Sequence, residues 1–157
     1  MVYVNAKIRE PRTGPESFDV VKFAETYFNL EKPCLIVREK AQVWHWHVNG
    51  TLKADETWER ARSHPHPDCL GTKDRPISGT QYTTDESFEL SWQYCIKRDP
   101  ELCVTRKWNI TNEQCAEWFK LHKEYATDKT AGIKRKLEEL EVSTDYHEAE
   151  MQCARID

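Results

Sequence analysis

The sequence predicts an α+β domain, a central antiparallel sheet with helices packed on it. Two strand-like runs, CLIVRE (34–39) and VWHWHVNGTL (43–52), are separated only by the short turn Lys40 to Gln42, which makes them a hairpin. Three more runs of strand composition, MVYVNAKI, ISGTQY (77–82) and LCVTRKW (102–108), are dispersed through the chain. Segments with apolar residues at helical spacing lie between them, and this mixture with an antiparallel pair points to a sheet covered by helices.

Each element has its own signal. After the first strand, REPRTGPES carries two prolines and a glycine and reads as a loop. Ser17 is placed to cap a helix from Phe18 to Leu30, in which Phe18, Val21, Ala24, Tyr27 and Phe28 share a face, and Pro33 closes it. Asp55 to Ser63 reads as a short helix, and HPHPDCLGTKDRP as a loop. A helix is expected from Asp85 to Arg98, ended by Pro100. Thr111 with Gln114 three residues on forms a capping box that opens a helix from Asn112 to Ala126. Residues 1–130 are read as the domain and 131–157 as an acidic tail or linker, mobile or dependent on a partner for order.

Composition narrows the function classes. With 38% hydrophobic and 32% charged residues the chain of 157 can bury a core, and no apolar run approaches the roughly 18 residues of a membrane span. The N-terminus lacks the apolar stretch of a signal peptide, so a soluble protein made in a reducing compartment is expected. The six cysteines form no C-x-x-C pair and are read as free, mostly buried thiols rather than zinc ligands. Net charge is −4, and the tail, with seven acidic and four basic residues, accounts for most of it. A near-neutral domain does not bind nucleic acid by bulk attraction, although a local basic stripe is compatible with it.

His45 and His47 are one residue apart on a strand, so both side chains point the same way, with Cα atoms about 7 Å apart, and can reach one ion. Glu39 ends the preceding strand, and a tight hairpin brings its carboxylate beside them. Two imidazoles and a carboxylate leave coordination positions open, as a catalytic divalent ion requires. A pair of core histidines and a solvated turn glutamate is the plainer alternative. Further on, Tyr94 and Lys97 in WQYCIKRD are expected at i and i+3 of one helix, setting an ammonium beside a phenol. A cation there favours phenolate and offsets phosphate charge, against the alternative of a core tyrosine with a rim lysine.

The order of these pieces, Glu39, then His45-Trp46-His47, then Tyr94 to Lys97, resembles the HUH-superfamily replication-initiator endonucleases, in particular the Rep nuclease domains of small circular single-stranded DNA viruses. The resemblance runs from about Val2 to Ala126. The family's N-terminal motif, often F-T-L-N, corresponds at best to Val2, Tyr3, Val4 and Asn5, and a phosphate-loop helicase motif is lacking.

The resemblance implies a ferredoxin- or RRM-like sheet, with Mn²⁺ or Mg²⁺ held by Glu39, His45 and His47 and with Tyr94 and Lys97 as catalytic residues. It implies a sequence-specific DNA-nicking and joining endonuclease that cuts single-stranded DNA at a stem-loop origin, forms a 5′-phosphotyrosine link and starts rolling-circle replication. It also implies a helicase domain or partner, leaves oligomer formation open, and places the protein in a host nucleus. Two rivals remain at this point: a non-catalytic single-stranded nucleic-acid-binding module, and a metal-dependent phosphodiesterase in which water attacks. Exposed aromatics would serve unpaired bases as stacking platforms. Trp44, Trp46, Trp92 and Trp118 are expected to be buried, with Trp58 and Trp108 weaker cases. His64 and His66 form a second, lower-ranked H-x-H in a loop, and Lys73 and Arg75 are candidate phosphate contacts. His122 is read as a helix-face residue.

Overall fold

The structure, a computed structural model, describes residues 1–69 and 75–126. The tail and Lys73 lie outside the described residues. Five strands, β1 (Tyr3–Arg9), β2 (Cys34–Lys40), β3 (Trp44–Thr51), β4 (Ile77–Tyr82) and β5 (Val104–Trp108), form one antiparallel sheet in the order β4-β1-β3-β2-β5. The helices are α1 (Val20–Tyr27), α2 (Trp58–Arg62), α3 (Asp85–Cys95), α4 (Pro100–Cys103) and α5 (Asn112–Ala126), with a 3₁₀ turn at Pro15–Ser17. The α+β class read from the sequence is the class observed.

Strand alternation divides the sheet into two chemically different faces. On one, Val4, Ala6, Ile8, Cys34, Ile36, Trp46 and Val48 pack with Phe23 and Phe28 near α1 and with Trp58 of α2. The other carries Tyr3, Asn5, Leu35, Val37, Glu39, His45, His47, Asn49 and Tyr82, and α3 lies on it. Phe88 and Trp92 of α3 fill this second layer, and Trp92 stacks on Trp118 of α5 at 5.1 Å. The histidines therefore sit beneath the tyrosine-bearing helix, on the polar side of the central strand.

Several boundaries differ from the sequence reading. Asp19, not Ser17, caps α1 by accepting from the Lys22 N–H at 3.0 Å, because Pro15 draws Ser17 into the preceding 3₁₀ turn. Helix α3 opens on a Thr84–Ser87 capping box but stops at Cys95, with Ile96 already extended. Lys97 thus lies beyond the helix rather than on its face. Pro100 begins a helical turn instead of preceding a strand, since its missing N–H costs nothing at a first helical position. The capping box of α5 forms as read: the Gln114 N–H donates to Thr111 Oγ1 at 3.0 Å and the Thr111 N–H to Gln114 Oε1 at 2.8 Å.

Trp46 and Trp92 are buried as expected, whereas Trp44 and Trp118 are only half-buried and Trp58 is buried. Cys34, Cys95, Cys103 and Cys115 are buried free thiols, and Cys69 is a free exposed one. Among the described residues no helix is long and apolar enough to cross a membrane.

Trp58 lies over Gly79 of β4, where a methyl group would overlap the Asn5 carbonyl oxygen and come 3.0 Å from the indole. Backbone and a packed ring cannot both give way, so Gly79→Ala is expected to destabilise the fold by about 1–3 kcal/mol in urea unfolding. An unchanged midpoint would show that β4 is not held this closely against β1.

Candidate metal centre

The hairpin register sets Glu39 directly opposite His45 and Val37 opposite His47. Glu39 Oε1 lies 2.9 Å from His45 Nε2 and 2.8 Å from His47 Nε2, and the two Nε2 atoms are 3.2 Å apart. Among the described residues this is the one group of acidic, His or Cys side chains whose donor atoms converge in this way. Both imidazoles are buried, while Glu39 keeps partial access to solvent.

The remaining nitrogens decide what the cluster can hold. His45 Nδ1 faces the Val43 carbonyl oxygen at 3.2 Å, and His47 Nδ1 faces Asn5 Oδ1 at 2.9 Å. A carbonyl oxygen only accepts, so each Nδ1 must carry the ring's hydrogen. An imidazole in that tautomer has a bare lone pair at Nε2, and both Nε2 atoms meet the Glu39 carboxylate. Three electron-rich atoms at this spacing repel one another unless a positive charge lies between them. Around an octahedral ion with bonds near 2.1 Å, neighbouring donors sit about 3 Å apart. The donor set and spacing fit a divalent cation, so the cluster can hold a metal ion.

The protonation states suit that role. Burial pushes the His47 imidazole down to about 4, against the opposing pull of Glu39, so the ring is neutral at neutral pH. Burial alone would raise the Glu39 carboxyl, but the hydrogen bonds that His45 and His47 give it whenever Nε2 carries a proton, with the charges of a protonated His47 and of Lys97, outweigh it and hold the group well below the usual carboxylate range. A neutral imidazole beside an ionised carboxylate is the ligand-ready combination.

Lys97 joins the cluster from beyond the end of α3. Its Nζ is 3.5 Å from Glu39 Oε1 and 4.3 Å from the centre of the Tyr94 ring. Tyr94 shares the sheet face with the histidines but is packed with Leu35, Val37 and Tyr82 and is only 3% exposed. The structure thus brings Glu39, His45, His47 and Lys97 to one point, with the Tyr94 ring against the lysine.

The second H-x-H has a different character. The His66 Nε2–H donates to the Arg9 carbonyl at 2.8 Å, and its Nδ1 accepts from the Asp68 N–H at 3.0 Å, so each nitrogen has a partner of the right kind. His64 lies 2.8 Å from the Tyr27 hydroxyl and packs edge-on against Phe18 and Phe23. This pair pins the loop to β1 and α1. Arg75 lines a cleft of about 190 Å³ with Lys7, Arg9, Ser78 and His45.

Two residues escaped the sequence reading. Asn5 entered the sequence reading only as the last residue of a poor match to the family's N-terminal motif, with no task at the histidines. His122 of α5 is buried with Nδ1 unpartnered, and burial, with the charge of Lys97, lowers its imidazole below the ordinary value. Its helical spacing alone gave no hint of the missing partner. No family model, curated protein or solved structure matches the chain.

Acid sensitivity follows from His47. Its folded value lies below the 6.5 of a free imidazole, so as pH falls below about 6.5 the unfolded chain takes up a proton that the folded one refuses. Stability present above that pH is lost progressively toward pH 4, and Glu39 adds to the loss lower down. The metal-free protein should melt at falling temperature across this window, and His47→Gln should flatten the fall. An equally steep profile in the variant would contradict the assignment.

Proposed function

We propose that this chain is a metal-dependent DNA-nicking and joining endonuclease of the HUH kind, with Tyr94 as nucleophile. The observation that carries the reading is Lys97, whose ammonium touches both the Glu39 carboxylate and the Tyr94 ring and so ties the tyrosine helix to the ligand cluster. A non-catalytic binding module has no need to bury two imidazoles against a carboxylate beside a phenol.

Glu39, His45 and His47 would hold Mn²⁺ or Mg²⁺, which supplies Lewis-acid polarisation of the scissile phosphate. Tyr94 Oη attacks phosphorus in line and loses its proton to solvent. The bond from phosphorus to the 3′-oxygen breaks, leaving a 5′-phosphotyrosine and a 3′-hydroxyl that takes up a proton. Lys97 orients the phosphate and offsets the charge that builds on its oxygens. An incoming 3′-hydroxyl reverses the step and rejoins the strand.

A single-stranded substrate suits the site, because a paired backbone cannot reach a sheet-borne cluster roofed by a helix. The cleft beside His45, lined by Lys7, Arg9 and Arg75, offers cationic side chains to neighbouring phosphates, with Arg9 also 3.6 Å from Asp68. On this reading the strand is a stem-loop origin opened by a helicase domain or partner, in a host nucleus.

The burial of Tyr94 favours a second reading, a metal-dependent phosphodiesterase in which water attacks and the phenol is part of the core. The two separate in one assay: a stem-loop single strand is incubated with the protein and Mn²⁺ and run on a denaturing protein gel. The nicking enzyme gives a covalent protein–DNA band that disappears in Tyr94→Phe. Cleavage with no such band, undiminished in Tyr94→Phe, assigns the reaction to water and removes Tyr94 from the chemistry.

A further inference from the structure

Asn5 is 1% exposed, in the middle of β1, with Val4 and Ala6 beside it pointing into the opposite core. Across the sheet it is registered between Asn49 of β3 and Thr80 of β4, both buried. Asn49 Oδ1 and Thr80 Oγ1 have no hydrogen-bond partner, so the Asn5 amide bypasses buried oxygens on both of its cross-strand neighbours. It spans instead from the ligand cluster to α3. Nδ2 donates to Cys95 Sγ at 3.1 Å, and the Tyr82 hydroxyl also hydrogen-bonds Asn5, while Oδ1 faces His47 Nδ1 at 2.9 Å.

These contacts are consistent with one orientation of the amide, since the sulfur and the phenol can both accept from Nδ2. An amide nitrogen only donates and its oxygen only accepts. With Nδ2 turned to the sulfur and the phenol, Oδ1 is left for His47, and the hydrogen of that ring is placed on Nδ1. The lone pair of Nε2 then faces Glu39 and His45. A ligating imidazole held through its other nitrogen keeps its ring orientation and its basicity, and loss of such a partner weakens metal affinity. The same amide reaches Cys95, the residue next to Tyr94, and so references the histidine to the helix that carries the phenol.

We propose that Asn5 is a positioning residue for the metal centre, holding His47 with Nε2 bare toward the ion and tying that ring to α3 beside Tyr94. This rests on reading Glu39, His45 and His47 as metal ligands. It gives the first strand a task at the cluster.

Calorimetric titration of Mn²⁺ into the full chain tests it, comparing wild type with Asn5→Leu and Asn5→Asp, each required to give the wild-type far-UV circular dichroism. Asn5→Leu is expected to bind about 10 to 100-fold more weakly. Asn5→Asp still offers an oxygen to Nδ1–H and is expected to bind within about threefold of wild type, or more tightly, as carboxylate–histidine–metal triads do. Where the leucine variant does not fold, Asn5→Thr, too short to reach Nδ1, takes its place with the same expected loss. Wild-type affinity in Asn5→Leu or Asn5→Thr, or a loss in Asn5→Asp as deep as in those variants, overturns the positioning role. Wild type that binds no Mn²⁺ overturns both this role and the metal centre. The expected affinity pattern without a covalent DNA adduct upholds the role of Asn5 and sinks only the tyrosine reading.

Discussion

Two buried imidazoles whose four nitrogens all face acceptors are the constraint on which the site depends. The Val43 carbonyl and the Asn5 amide oxygen take up the hydrogens at Nδ1, and both Nε2 lone pairs then converge on the Glu39 carboxylate. Burial makes this costly, because repulsion between electron-rich atoms is poorly screened away from water. His66 shows what a satisfied histidine in the same fold looks like, with a donor at one nitrogen and an acceptor at the other. A cation relieves the conflict at His45 and His47 without disturbing the contacts that hold the rings.

The surrounding layer seats the cluster between sheet and helix. The face of the sheet that carries the histidines is polar at its centre, where Asn5, Asn49 and Thr80 lie in one row across three strands. Helix α3 closes over that row: Ser91 accepts from Asn49 Nδ2 at 2.8 Å and Cys95 from Asn5. Such a layer is demanding, since each polar group left unpaired counts against folding, and it specifies one seating of the helix on the sheet. Burial also raises the Cys95 thiol to about 12, so this sulfur serves as a hydrogen-bond acceptor and not as a reactive thiolate. The start of α3 is fixed separately, by the Tyr3 hydroxyl donating to Asp85 at 2.6 Å and by Tyr3 stacked on Phe88.

Much of this was legible in the sequence, for identifiable reasons. Period-two alternation placed His45 and His47 on one face, and the three-residue turn after Glu39 set the carboxylate opposite them. Both inferences use short-range geometry, which residue order controls directly. The helix boundaries were less accessible, because they turned on local competition: Pro15 drew Ser17 away from the α1 cap, and Ile96 took an extended conformation that carried Lys97 off α3. Lys97 still meets the Tyr94 ring, by a route other than the helical spacing that suggested the pairing. The bridging role of Asn5 could not be read at all, since it depends on β1 lying next to β3, a pairing 42 residues apart in the chain.

Anomalous X-ray diffraction from crystals soaked in Mn²⁺ tests the central claim most directly. The account predicts one strong peak bonded to Glu39 Oε1, His45 Nε2 and His47 Nε2 at about 2.0–2.2 Å. A well-diffracting soaked crystal with no density among those three atoms, and with the imidazoles rotated to pair with other groups, would contradict it.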